Sequence, residues 1–131
     1  MIRRAFLALC LTVAMTPICS ADFFKNDYAA AAKNSRDTGK TLVVLISASW
    51  CSPCQQLKKD IEKAEKAGTL PDVNLVIVDY KSEVADKLKV STSIPQLIRF
   101  EKKEGKWLKT FSIGYLSPLK FKDFCNGKKQ G

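Results

Sequence analysis

Two continuous apolar runs rich in β-branched residues, TLVVLIS (Thr41 to Ser47) and VNLVIVDY (Val73 to Tyr80), bracket a segment of helical period. An unbroken apolar run suits a central strand covered on both faces rather than one with a face in water. Between the runs, Ser52 to Ala67 sets Cys54, Leu57, Ile61, Ala64 and the following Gly68 on one stripe, with Lys58, Lys59, Glu62, Lys63, Glu65 and Lys66 elsewhere. That is an amphipathic helix, and Gly68 and Pro71 end it. A strand, a crossover helix and a second strand make a parallel pair with a right-handed connection. Whatever else the chain does must complete that sheet.

The remaining segments are read in the same way. Asp22 to Lys40 reads as a helix, with Phe23 or Phe24, Tyr28 and Ala31 or Ala32 at helical spacing and Gly39 as its stop. Ser82 to Leu88 reads as a short helix capped by Ser82. Gln96 to Phe100 and Trp107 to Ile113 read as the arms of an antiparallel hairpin, with Gly105 in the turn. Ser117-Pro118 has the cap and first-turn proline of a last helix running to about Cys125, and the basic tail after Gly127 has no pattern. The order αβαβαββα predicts the α/β class: a central mixed sheet, a parallel βαβ unit plus a C-terminal antiparallel hairpin, flanked by helices. At 131 residues and 46% apolar content, the chain supports one domain with a real core.

The first 21 residues stand outside that plan. Arg3 and Arg4 precede an uncharged run from Ala5 to Ala21 that ends Cys19-Ser20-Ala21, the layout of a secretory signal cleaved before Asp22. The expected division is a signal peptide at 1–21 and one domain at 22–131, exported to the periplasm or secreted. The alternative is an uncleaved membrane anchor, for which 17 residues interrupted by Pro17 is at the short limit. A lipid-attached Cys19 fits less well, because bulky Ile18 precedes it. Cleavage removes Cys10 and Cys19 and leaves 20 basic and 13 acidic side chains, a net charge of +7. The lysines are spread along the chain and many sit beside acids, so they read as a solvated surface and no nucleic-acid partner is expected.

Export places the remaining cysteines, Cys51, Cys54 and Cys125, where disulfides persist, and the odd count leaves one thiol over. Cys51 and Cys54 lie in SASWCSPCQQL at the end of the first buried run. Zinc needs four ligands, and the chain has no His and no second pair, so no metal is expected. A staple closing so short a loop restrains the unfolded chain little. A redox centre has a positional basis: Cys51 stands where a strand gives way to a helix, near free amide groups and the positive end of the helix dipole, which favours thiolate. Cys54, on the core-facing stripe, is expected to be less exposed. The pair divides into an attacking and a resolving sulfur.

Trp50-Cys51-Ser52-Pro53-Cys54 after a buried strand resembles the thioredoxin motif. Ser93-Ile94-Pro95-Gln96 is similar to the segment in which thioredoxins carry a cis-proline, and IGYLSPLKFKDF (Ile113 to Phe124) to the one where a glycine leads from the last strand into the terminal helix. The resemblance covers Lys40 to about Cys125 and implies a thioredoxin fold with a redox-active Cys51–Cys54 disulfide and no other cofactor. It implies that Cys51 is the nucleophile and Cys54 the resolver, with Trp50, Ser52, Pro53, Ile94 and Pro95 at the substrate site. Pro95 would be in cis, and the Ile94 backbone would receive a substrate chain as an added strand. Trp107 has no counterpart and reads as a hairpin packing residue. Two positions depart from the pattern: Ser52 replaces the usual glycine, and Leu45 stands where thioredoxins bury an acid, six residues before the first cysteine.

The expected activity is reduction of protein disulfides, since strong oxidants of this superfamily resemble CPHC and this chain has no His. An exported reductase requires a membrane thiol donor as partner. The competing expectation is a binding or scaffold subunit, or a thiol-based metal handler, on the same fold. Cys125 reads as a semi-buried thiol on a helix face in a monomer, with an intermolecular Cys125 disulfide as the alternative.

Overall fold

The computed structural model describes residues 22–24, 26–90 and 93–128. In chain order the elements are β1 (Asp22–Phe23), α1 (Tyr28–Thr38), β2 (Leu42–Ser47), α2 (Ser52–Ala67), β3 (Asn74–Asp79), α3 (Glu83–Lys87), β4 (Gln96–Lys103), β5 (Lys106–Ile113) and α4 (Pro118–Cys125). The strands form one mixed sheet in the order β1-β3-β2-β4-β5. β1 and β2 pair parallel with β3, and β4 pairs antiparallel with both β2 and β5. This is the predicted α/β architecture. Every residue of β2 is buried, as an apolar run in the middle of a two-faced sheet must be.

Alternation along the strands divides the core in two. Val43, Leu45, Leu75, Ile77 and Leu97 point to one face, where Leu57 and Ile61 of α2 and Phe121 and Phe124 of α4 cover them. Leu42, Val44, Ile46, Val76 and Ile98 point to the other, under Ala31 and Ala32 of α1 and Ala85 of α3. Leu45, the residue in place of the family's acid, is 0% exposed and lies opposite Ile77 and Leu97 in the ladders. It belongs to the hydrophobic cluster of Leu57, Ile61 and Leu75.

One expected element is corrected. The helix read from Asp22 begins only at Tyr28, because Asp27 caps it by accepting the Ala30 N–H at 3.0 Å. Ahead of the cap, Phe23 packs on one core cluster and Phe24 on the other. That is the two-residue period of a strand, and β1 extends the sheet beyond β3. The hairpin arms are also longer than expected, reaching a two-residue turn in which Glu104 (φ 52) and Gly105 (φ 76) both take left-handed conformations. The segment read as a signal peptide lies outside the described residues. No helix among the described residues is long and apolar enough to cross a membrane.

β5 is the sheet's edge, and all of it except Ser112 is exposed. Trp107, placed from sequence as a packing residue, is 39% exposed and contributes to a shallow groove with Tyr28 and Phe100. On β4, Arg99 is buried at 6% exposure. Its Nε donates to the Cys125 carbonyl at 3.1 Å and its Nη1 to Glu101 Oε2 at 2.8 Å. The guanidinium therefore caps the last turn of α4 from the sheet and holds the Glu101 carboxyl below the usual carboxylate range. Gly127 passes directly over it at φ +79, where a Cβ would stand 2.8 Å from Arg99 Nη2.

Candidate redox site

The site is built where β2 stops. Ser49 and Trp50 turn the chain, and Cys51, in extended conformation, is the N-cap of α2. Its carbonyl accepts the Gln55 N–H at 3.1 Å and its Sγ accepts the Cys54 N–H at 3.3 Å. A sulfur thus stands where a serine or aspartate oxygen usually satisfies the free amides of a helix start. Pro53 occupies the first turn, where a missing N–H costs nothing. Cys51 and Cys54 are joined in a disulfide. Their relative accessibility follows the expected order, 6% for Cys51 and 0% for Cys54, although the oxidised pair leaves even the outer sulfur largely covered.

The Ile94–Pro95 bond is cis, as the resemblance implied, and Pro95 opens β4 beside β2. Ala48, Cys51 and Cys54 form a small cluster with Ile94 and Tyr80 packed on it. The structure thus brings Cys51, Cys54 and Ile94 together, and Ser52 and Pro53 are exposed at the start of α2. Trp50 is 67% exposed and meets Tyr80 edge-on, ring centroids 6.4 Å apart. Sequence reasoning missed Tyr80 and Ala48. The available signal was positional: each follows the last residue of a parallel strand, at the end of the sheet where the cysteine pair sits.

Cys125 does not belong to the site. It is 2% exposed within the α2/α4 core cluster, and burial pushes its thiol up to about 12, slightly opposed by Arg99. The semi-buried reading understates its cover, and a bridge to a second copy would require the end of α4 to open. Its raised value has a stability consequence. The unfolded thiol ionises near pH 8.5 while the folded thiol stays protonated, so Cys125 contributes stability in full below about pH 8.5 and loses it as pH rises toward 12. Urea titrations from pH 8 to 11 should show a steeper alkaline decline for the parent than for Cys125→Ala. Native Cys125 should also resist iodoacetamide at pH 8, where an exposed thiol is alkylated.

Residues 24–108 match the family model described as Thioredoxin-like. Among solved structures, the thioredoxin of Trichomonas vaginalis is 26% identical, with 72% of this chain and 85% of that chain covered at a TM-score of 0.54. Schistosoma mansoni thioredoxin is 26% identical over 82% of this chain and 97% of that one, TM-score 0.57. Plasmodium falciparum thioredoxin, at 15% identity, shares the fold with a TM-score of 0.62 over 82% and 89% of the two chains. No curated protein matches in sequence. The fold and the Cys51–Cys54 disulfide together support thiol-disulfide oxidoreductase chemistry. With the family model spanning most of the described chain, the protein belongs to the thioredoxin-like family.

Proposed function

We propose that this chain is an exported reductase of protein disulfides. The observation that carries the proposal is the unequal placement of the two sulfurs: Cys51 caps α2 and Cys54 is sealed beneath it. In the reduced protein, the Cys51 thiolate, favoured by the helix N-terminus, attacks a substrate disulfide and releases one substrate thiolate. Cys54 then attacks Cys51 Sγ, releasing the second substrate thiolate and leaving the Cys51–Cys54 disulfide. Two electrons have passed from the dithiol to the substrate. The Ile94 backbone beside Pro95 receives the substrate chain as an added strand, with Trp50, Ser52 and Pro53 flanking it. The proton of Cys54 leaves to water, because Leu45 supplies no acceptor. A membrane thiol protein returns the electrons.

The likeness to proteins named thioredoxins, two of them 26% identical, supports the reducing direction. So does the absence of His, which leaves no imidazolium to stabilise the reduced form. Thioredoxin-type and strongly oxidising centres lie near about −270 and −120 mV, a gap of about 7 kcal/mol for two electrons. The Cys54→Ser variant should accumulate mixed disulfides whose partners, identified by mass spectrometry, are exported proteins and one membrane thiol protein. Equilibration of the parent with glutathione should give a potential near −270 mV; a value above about −150 mV would reverse the assigned direction.

A further inference from the structure

The two edges of the sheet are unequal. Among the described residues β1 is two residues long, too short to receive a further strand, whereas β5 runs for eight. Edge strands are commonly guarded by charge, and β5 is guarded weakly. Lys106 stands at its first position, and Lys109 turns its Nζ across the sheet to donate to the Leu88 carbonyl at 3.3 Å. Trp107, Leu108, Phe111 and Ile113 remain 39–59% exposed. An edge this long and this apolar is a template for another strand.

The register shows which groups that strand would meet. The Gly114 N–H donates to the Pro95 carbonyl at 2.8 Å, and the ladder pairs Leu97 with Ser112, Arg99 with Thr110 and Glu101 with Leu108. Backbone groups alternate in direction along a strand, so Ser112, Thr110 and Leu108 turn theirs to β4 and Trp107, Lys109, Phe111 and Ile113 turn theirs outward. The same four lie in line with Ile98 and Phe100 on the α1 face of the sheet. Their spacing is symmetric about Thr110. A second β5 laid antiparallel with Thr110 opposite Thr110 sets Trp107 against Ile113 and Lys109 against Phe111, and every outward N–H and C=O finds its counterpart. No other two-fold pairs all four. The charges agree with this register: Lys106 meets Gly114, and Lys109 offers its aliphatic stem to Phe111. A two-fold at Lys109 would instead oppose two lysines, which is unfavourable.

We propose that two copies of this chain join through β5, in the register centred on Thr110, into one continuous sheet across a two-fold axis. Trp107, Leu108, Phe111 and Ile113 each present roughly 100 Å². With Lys106, Lys109 and Thr110 beside them, the pairing covers about 1,000 Å² over the two copies, the lower bound for a specific interface. The association is therefore of micromolar strength, a dimer when concentrated and a monomer when dilute. It needs no cysteine, since Cys125 is buried away from the edge. It also brings Trp107 of each copy to the redox end of the other's sheet, opposite Ile113, whose β4 partner Gln96 follows the cis Pro95. Both copies are basic, the full chain carrying +9, so screening by salt should tighten the dimer.

The test is sedimentation equilibrium of the full chain over about 5 to 500 µM, a range that brackets that strength. The parent should show a monomer–dimer equilibrium. Phe111→Lys, which opposes Lys109 of the second copy, and Lys109→Pro, which deletes an outward N–H and spares the β4 ladder, should each raise the dissociation constant at least about tenfold. Thr110→Cys stands on the axis, where a non-hydrogen-bonded pair brings Cα atoms to about 4.5 Å, within the span of a disulfide. Mild oxidation should link it into a covalent dimer, and Leu108→Cys, which faces Ser112 and not itself, should stay unlinked. Melting temperatures confirm that each variant folds. A parent that is monomeric at the highest concentration overturns the proposal. So does a dimer that both substitutions leave intact, or a cross-link at Leu108 in place of Thr110. Binding of a monomeric parent to phosphatidylglycerol vesicles, lost in Phe111→Lys, would give the edge to an anionic membrane and overturn the pairing as well.

Discussion

Cys51→Ser should abolish insulin reduction, lowering the rate by at least about 10³-fold, while the protein stays folded. Loss of activity follows from burial: with Cys51 gone, the remaining thiol of the pair is 0% exposed on the core face of α2 and cannot reach a substrate disulfide. Retention of the fold follows from the cap. Serine is among the preferred residues at a helix N-cap, so its Oγ takes over the Cys54 N–H that Cys51 Sγ now receives. The fair reference for thermal unfolding is the reduced parent, which also lacks the cross-link, and the two should melt within a few degrees of one another. Retained biological activity in Cys51→Ser, with insulin reduction lost, would move the protein from the enzymes to the scaffold subunits. A collapsed melting curve would instead give Cys51 a structural part that the cap geometry does not predict.

The second large effect concerns Leu45→Asp, which restores the acid usual in thioredoxins. The substitution should cost about 3–5 kcal/mol of stability at neutral pH. Leu45 is fully buried between Ile77 and Leu97 in the ladders and shares a hydrophobic cluster with Leu57, Leu75 and Ile61. Desolvation would raise the new carboxyl above its ordinary value near 3.9. The neutral acid is tolerated better than the ion, so the stability gap to the parent should be smaller near pH 4 and widen as pH rises through the folded value. Urea unfolding at pH 4 and pH 7.5 measures both. Equal gaps at the two pH values would mean that water or a cation reaches position 45. A stabilised variant would mean that the core holds a partner for the acid. The leucine is therefore integral to this core, and regaining the acid would require changes on α2, β3 and β4 as well.

What the sequence disclosed depended on how local the cause was. β2, α2, β3 and α3 were legible to within a residue at each end because their signals are continuous: apolar runs, a helical stripe, a Ser82 cap, a glycine stop. The division of roles between Cys51 and Cys54 was legible because a strand end and a helix phase decide it. β1 was not, since two residues of strand carry no periodicity and its existence depends on a partner more than fifty positions away. The state of Ser47 was not legible either. Ser47 reads as the last residue of an apolar run, and only the packed molecule reveals that its hydroxyl is buried with no hydrogen-bond partner among the described residues. Likewise, nothing in the sequence singles out Arg99, whose surroundings in the fold are the Cys125 carbonyl, Glu101 and Gly127.

That arginine sets a rule for anyone cutting or extending the chain. The guanidinium is oriented by the end of α4, so a truncation ahead of Cys125 would take away the carbonyl that receives its Nε and leave that donor unpaired, with Glu101 alone holding the charge. A tag or fused domain joined after Lys128 leaves this latch closed. A linker inserted between Phe124 and Gly127 pries it open, because the one residue that can pass over the guanidinium at that distance has no side chain.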